Sequence, residues 1–423
     1  MTINVTDAVG ANNTIVFDSN SKIPAIDGSL VTALSGSAFT TGTLATARID
    51  VGTGANQILQ LDANAKLPAV SATNLTNIPG PTVSTSDPAI DTNSTLGKKW
   101  INKTSGEVYI CTDATTDENV WTNVGEGTGD IEPWAYQGTS YAFVIGGWLS
   151  PGPQRTRIEK FSLSSDGDAT DVADLVTAQG WPSGTTNKTY GYASGGQSPV
   201  NDVIQKFLLV STVTATDVGN LTASRYQAAG SSDGVGGYGF TMGGVASSRS
   251  NVIDKHSFSS DGDATNSGDL SQANSAGAGH SDSANGYAYY SGGSDGSSYQ
   301  NIIERFAYTS GGNSVDVGDL TIVQAGGGSS STTHGYHAGG NYVDICKFAF
   351  ASSADATNVG DLANASEDPA GNSSTTHGYA SGGYYPSTSS DLIEKISFSS
   401  DGDAVDIANL TLARNGVGGN IQY

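Results

Sequence analysis

Six Gly-Gly doublets, each closing a short aromatic run, recur through the chain: Gly146-Gly147, Gly195-Gly196, Gly243-Gly244, Gly292-Gly293, Gly339-Gly340 and Gly382-Gly383. Their spacings are 49, 48, 49, 47 and 43 residues. A self-similar unit of that length cannot bury an apolar face alone and stacks on its own copies, which restricts the fold to a solenoid or a propeller.

Three phrases hold register within each copy. Three residues before each doublet stands an aromatic (Phe143, Tyr192, Phe240, Tyr289, Tyr336, Tyr379), and five before stand Tyr141, Tyr190, Tyr238, Tyr287, His334 and His377. Between those two positions the residue is always Gly or Ala. Side chains two apart share one face of a strand, so each run predicts a strand with one aromatic and one small-residue face. A second strand is built on Ile158, Ile204, Ile253, Ile303, Ile345 and Ile393, followed two residues later by Lys160, Lys206, Lys255, Arg305, Lys347 and Lys395. The third phrase supplies Leu175, Leu221, Leu270, Leu320, Leu362 and Leu410, preceded by Asp174, Asn220, Asp269, Asp319, Asp361 and Asn409. Six bases in register with six acids or amides predict a pair inside each unit, worth about 0.2–1 kcal/mol where exposed. An Ala- and Gly-rich strand follows each Leu, as in Ala228-Ala229-Gly230. Small residues suit the crowded innermost strand about an axis, and four strands make one propeller blade.

Ring closure is also legible. Leu410-Thr411-Leu412-Ala413-Arg414 matches Leu221-Thr222-Ala223-Ser224-Arg225, whereas the run at Tyr141 has no innermost strand of its own kind before it. The last strand is expected to complete the first blade and leave six blades with no open edge. These phrases resemble kelch-type propellers over residues 131–423, departing where a kelch unit carries a late Trp, a place the Leu fills. That resemblance implies a fold and leaves function to the site.

Residues 1–80 carry a separate, weaker repeat. Phe17-Asp18 and Lys22-Ile23-Pro24-Ala25-Ile26 recur 44 residues on as Leu61-Asp62 and Lys66-Leu67-Pro68-Ala69-Val70. Isolated apolar residues without a helical face cannot bury a core in one chain, so partner chains are expected to hold the segment, with a flexible linker as the alternative. With Gly42-Thr43-Leu44 and Ala47-Arg48-Ile49, these phrases resemble the stalk repeats of bacteriophage tail fibres, which implies a fibrous stalk wound by three chains. Pro79-Gly80-Pro81 marks a boundary, and residues 81–130 read as a small β module, within which the stretch from Gly97 to Gly125 is similar to short modules of phage fibre and neck proteins. Ser105-Gly106 is its hairpin turn, and Trp100, Tyr109 and Trp121 are its miniature core. The expected fold class is therefore all-β: a trimeric N-terminal stalk, a small β spacer and a six-bladed kelch-like propeller.

Composition narrows the partners. Gly contributes 56 residues and charged side chains only 14%, favouring turns and strands over helices. A net charge of -23 with 18 Lys and Arg leaves no basic stripe for nucleic acid or an anionic membrane surface. No run approaches 18 apolar residues and the start lacks a basic secretory signal, so neither membrane insertion nor export by that route is expected. Cys111 and Cys346 fall in different expected domains, which argues against a disulfide framework and fits synthesis in a reducing cytosol.

Candidate chemistry is sparse. Asp166-Gly167-Asp168, Asp261-Gly262-Asp263 and Asp401-Gly402-Asp403 invite a calcium reading, but each follows Ser-Ser between two strands, where an Asp-Gly turn belongs. His334 and His377 replace Tyr, His256 replaces Phe, and Cys346 stands at the Glu159 position, all as packing variants. No nucleophile and base pair, metal-ligand cluster or phosphate loop stands out, so neither an enzyme nor a cofactor is expected. Loop length carries more information: from each doublet to the next Ile the counts are 11, 8, 9, 10, 5 and 10. These variable loops share a face with the connections leading to the innermost strands, and that face carries Trp148, Trp181, Tyr299, Tyr384 and Tyr385. Aromatics set among Ser, Asn and Asp stack on sugar rings while hydrogen bonds fix the hydroxyls, or pin their own loops, the alternative for each.

The expectation from sequence is a virion tail fibre made in the host cytoplasm. It is joined as a homotrimer to other tail proteins through its N-terminus and binds a host-surface glycan or protein without catalysis. A glycan-degrading tailspike, needing two convergent carboxylates, and a purely structural virion protein docking on neighbouring subunits are the alternatives.

Overall fold

Four-stranded antiparallel sheets carry the repeat. The computed structural model describes residues 80–124, 134–149, 152–197, 199–234, 237–322, 324–384 and 387–423, so the expected stalk and Tyr385 lie outside the described residues. Among the described residues there are 28 strands and no helix, and the fold is all-β and propeller-like.

The first four strands, Thr82–Ser84, Lys99–Asn102, Val108–Asp113 and Val120–Asn123, form a sheet of their own. Gly106, at φ 82°, makes the turn between the second and third. Tyr109 and Trp121 are fully buried, and Trp100 meets Trp121 edge-on at 5.8 Å.

Six further sheets follow, each ordered inner, second, third, outer. The first joins the distant strand Gly418–Gln422 to Tyr141–Ile145, Arg157–Ser162 and Thr170–Asp174. The other five begin with the inner strands Ser183–Thr186, Ala229–Asp233, Ala278–Asp282, Gly327–Ser330 and Ala370–Ser373 and run on in chain order. Each inner strand touches those of both neighbouring sheets, and the sixth returns to the first.

The core lies between sheets. The second-strand aromatic of each sheet meets an aromatic on or just after the third strand of the next: Phe143 with Phe207 at 5.6 Å, Tyr192 with Phe258 at 5.0 Å, Phe240 with Phe306 at 5.3 Å. Tyr289 with Phe348 at 5.6 Å, Tyr336 with Phe398 at 4.7 Å and Tyr379 with Phe161 at 5.3 Å complete the cycle. The six register leucines are all buried alongside. Burial of a large side chain contributes about 1.5–3 kcal/mol, so the seams between sheets dominate stability.

Two features explain the small inner strands. A Cβ on Gly184, Gly230, Gly279, Gly328, Gly371 or Gly419 would collide with a carbonyl oxygen of this same glycine set on an adjacent sheet, a closed ring of backbone contacts. Inner-strand N–H groups facing the axis are also satisfied across seams. Those of Thr186, Ser232, Ser281 and Ser330 donate to the hydroxyls of Ser232, Ser281, Ser330 and Ser373 at 2.9, 3.0, 3.1 and 2.8 Å. Edge groups that would otherwise be unpaired are thereby closed off.

The bases do not pair inside their own sheets as their register suggests. Lys206, Lys347 and Lys395 reach Asp261, Asp401 and Asp166 in the third-to-outer turn of the following sheet, the last two at 2.9 and 2.6 Å. Lys160, Lys255 and Arg305 face following turns without such an Asp and lie over Tyr141, Tyr238 and Tyr287 at 4.2, 4.5 and 4.8 Å. The second Asp of each turn serves the same seam. Asp168, Asp263 and Asp403 accept the backbone N–H of Asn409, Asn220 and Asp361 from the preceding sheet at 2.9, 2.9 and 3.1 Å. Among the described residues no group of three or more potential metal ligands occurs.

Candidate functional site

The axis has two unlike ends. Residues 134–138 enter where the inner strands finish: Gln137 Nε2 donates to Ser330 O at 2.9 Å and the Gly138 N–H to Ser373 O at 2.9 Å. The buried Tyr136 hydroxyl donates to Asn420 Oδ1 at 2.8 Å, and Asn420 Nδ2 donates to Gly230 O and Gly279 O at 3.0 and 3.3 Å. This end is plugged by the chain itself.

The other end, where the inner strands begin, is a mouth ringed by the residues six after each register leucine: Trp181, Gln227, Ala276, Gly326, Asp368 and Gly416. Four that are not glycine, Trp181, Gln227, Ala276 and Asp368, have φ of 54°, 54°, 59° and 50°. A left-handed side-chain-bearing residue costs about 1–2 kcal/mol, and such strain concentrates where a surface is shaped for use. Beneath lies a cavity of 70 Å³ lined by residues of the inner strands and of the segments leading into them.

Asp368 spans this mouth. Its Oδ2 accepts Trp181 Nε1–H at 2.7 Å and Gln227 Nε2–H at 3.4 Å, joining the sixth sheet to the second and third. Burial holds its carboxyl above the usual carboxylate range, opposed by these two hydrogen bonds, which favour the anion. Glu367 beside it is raised by burial and then by the Asp368 charge. The Trp181 ring lies 5.5 Å from Trp148 and 6.1 Å from Tyr226, all three half-buried. Trp148 is anchored by its indole N–H to Gly152 O and by backbone bonds with Asn415 at 2.7 and 3.0 Å.

Of the residues expected from sequence, Trp148 and Trp181 come together at this mouth. Tyr384 is on the same rim, its backbone bridged to Glu367. Tyr299 is 38% exposed on the loop of the fourth sheet and has no ring contact with the others among the described residues. Tyr226, Gln227 and Asp368 were not singled out by sequence. Their signal was positional: six after Leu the copies agree in register and disagree in identity, the mark of a shared scaffold place with a variable occupant. The histidines are structural. His256 is buried against Tyr192 and Phe258 at 5.1 and 5.5 Å, and His334 and His377 accept or donate at Nδ1 to Thr333 and Thr376 hydroxyls at 2.8 Å.

The mouth offers aromatic faces, carboxylate acceptors and an amide on a strained, rigid rim. Chemically this is a surface for stacking and hydrogen bonding. No protein-family model matches the chain and no curated protein sequence matches it.

Proposed function

We propose that the chain is a bacteriophage tail fibre protein that mediates attachment to the host cell. In this reading residues 1–80 form a homotrimeric stalk that joins other virion tail proteins, residues 81–130 a spacer, and residues 131–423 a six-bladed kelch-like propeller. The propeller binds a surface glycan or protein without catalysis, and three copies raise the avidity of weak single sites. The observation that carries the attachment role is the rim of Trp148, Trp181 and Tyr226 beside Asp368 and Gln227. Stacking rings next to acceptors and an amide are the groups that hold sugar hydroxyls and rings.

Binding of labelled full-length protein to a panel of bacterial strains tests this, with Trp148→Ala as the variant. Adsorption to particular strains, weakened roughly tenfold by losing one stacking face, is expected; no adsorption, or adsorption indifferent to the variant, would count against it. A native mass of one chain rather than three would remove the stalk from the reading. The glycan-degrading alternative draws on Glu367 and Asp368, both held above the usual carboxylate range, and is separated by whether the bound polysaccharide is shortened.

A further inference from the structure

The residue after each third-strand Ile is buried in a seam and held by the preceding sheet. Asp254 accepts Thr222 N–H and Oγ1–H at 2.9 and 2.7 Å and pairs with Arg225 at 2.9 Å. Glu159 accepts Thr411 N–H at 3.3 Å and its hydroxyl, and pairs with Arg414 at 3.1 Å. At both seams the arginine stands four residues after the register leucine and the hydroxyl one residue after it. Each arginine's Nη2 also donates to the carbonyl two before the next doublet, Thr241 O or Val144 O, at 3.3 Å. Where no arginine is present the seam has other chemistry: Glu304 takes Ser271 and Ser314, and Cys346 faces Thr321 and Gln324.

The seam between the fifth and sixth sheets keeps the acid and lacks both partners. Glu394 is 3% exposed, yet Ala363 replaces the hydroxyl residue and Ser366 replaces the arginine. Among the described residues its hydrogen bond is from Ala363 N–H, at 2.6 Å to Oε1. A cleft of 350 Å³ opens between Ser366 and Glu394, lined also by Asp391 and Asn364 and by no lysine or arginine. Burial raises the Glu394 pKa, the Ala363 N–H bond opposes the shift, and the Asp406 charge adds to it.

We propose that this cleft binds a guanidinium group from outside the chain, in the place that Arg225 and Arg414 occupy at the sister seams. The planar fork matches a carboxylate with a carbonyl beside it, here Glu394 and Ala380 O by register, better than a compact ammonium does. An arginine of a neighbouring protein and a free guanidino compound share this chemistry. The site rests on the seam's own chemistry and stands whether or not attachment is the function.

Thermal midpoints of the full-length protein titrated with methylguanidinium chloride, against equal sodium chloride, provide the test. Wild type should show a saturable rise. Glu394→Gln should bind roughly tenfold more weakly or not at all, as expected on losing a charge-assisted bond. Ser366→Arg should raise the midpoint without ligand and abolish the response, because the chain then supplies its own cation. N-acetyl-arginine amide responding better than methylguanidinium indicates a protein-borne arginine, and the reverse a free compound. A wild type without response, a Glu394→Gln variant responding like wild type, or an equal response to methylammonium would overturn the proposal.

Discussion

Single residues divide sharply into those that hold seams and those that decorate them. Arg414 and Glu159 are both fully buried where the sixth sheet meets the first, whereas Lys395 and Asp166, bridging the same two sheets, are 23% and 56% exposed. Removing one member of a buried pair strands the other charge at a cost of about 3–5 kcal/mol, while an exposed pair contributes about 0.2–1 kcal/mol and is screened by salt. Urea denaturation should therefore find Arg414→Ala several-fold more damaging than Lys395→Ala. Equal costs would mean that the buried pair does not hold the closing seam. The sequence aligned Arg414 with Arg225 and Cys346 with Glu159, so the positions were legible. Which residue each one meets was not, because the partner belongs to a different sheet and periodicity within one copy carries no information across a seam.

Elements were legible where their period is local. The aromatic runs, the Ile strands and the Asp-Gly turns appear where alternation and turn chemistry predict them. The bases were misassigned because an in-register acid inside the unit looked like the nearest partner, when the twist of stacked sheets brings the following turn closer. The fourth and fifth sheets add a feature no periodicity reveals. His280 Nδ1 faces Ser329 O at 3.1 Å and so carries its proton. Its Nε2 accepts from Ser291 Oγ at 2.8 Å, and that oxygen accepts Nδ1–H of His337 at 2.8 Å, a chain that requires His280 to be neutral. Burial holds His280 and His256 down at about 4, and burial with the neighbouring His280 holds His337 at about 3. An unfolded histidine takes its proton near 6.5, so between about 6.5 and 4 the unfolded chain binds more protons and stability falls as pH falls. Each such histidine contributes about 1.4 kcal/mol of loss per pH unit in that window. His256→Phe, matching Phe207 and Phe306 in register, should make the pH dependence of urea stability shallower by about that amount. An unchanged slope would show that His256 is already charged or exposed.

At the scale of the whole molecule, the repeat set the number of sheets and the strand Gly418–Gln422 joins the first of them to the far end of the chain. Closure leaves an axis plugged at one end by Tyr136 and Asn420 and open to a shaped rim at the other. Half of that rim was legible: Trp148 and Trp181 stood out as aromatics in variable loops. Asp368 did not, because only a closed ring lets a side chain of the sixth sheet reach residues of the second and third. The rim is also where the copies cease to agree, as the proposed attachment role requires. Hydroxyl-radical footprinting of the full-length protein, with and without surface glycan from a strain it adsorbs to, examines this most directly. Protection concentrated on Trp148, Trp181 and Tyr226 is predicted; unchanged labelling there, with protection instead at the Asp-Gly turns or the outer strands, would contradict it.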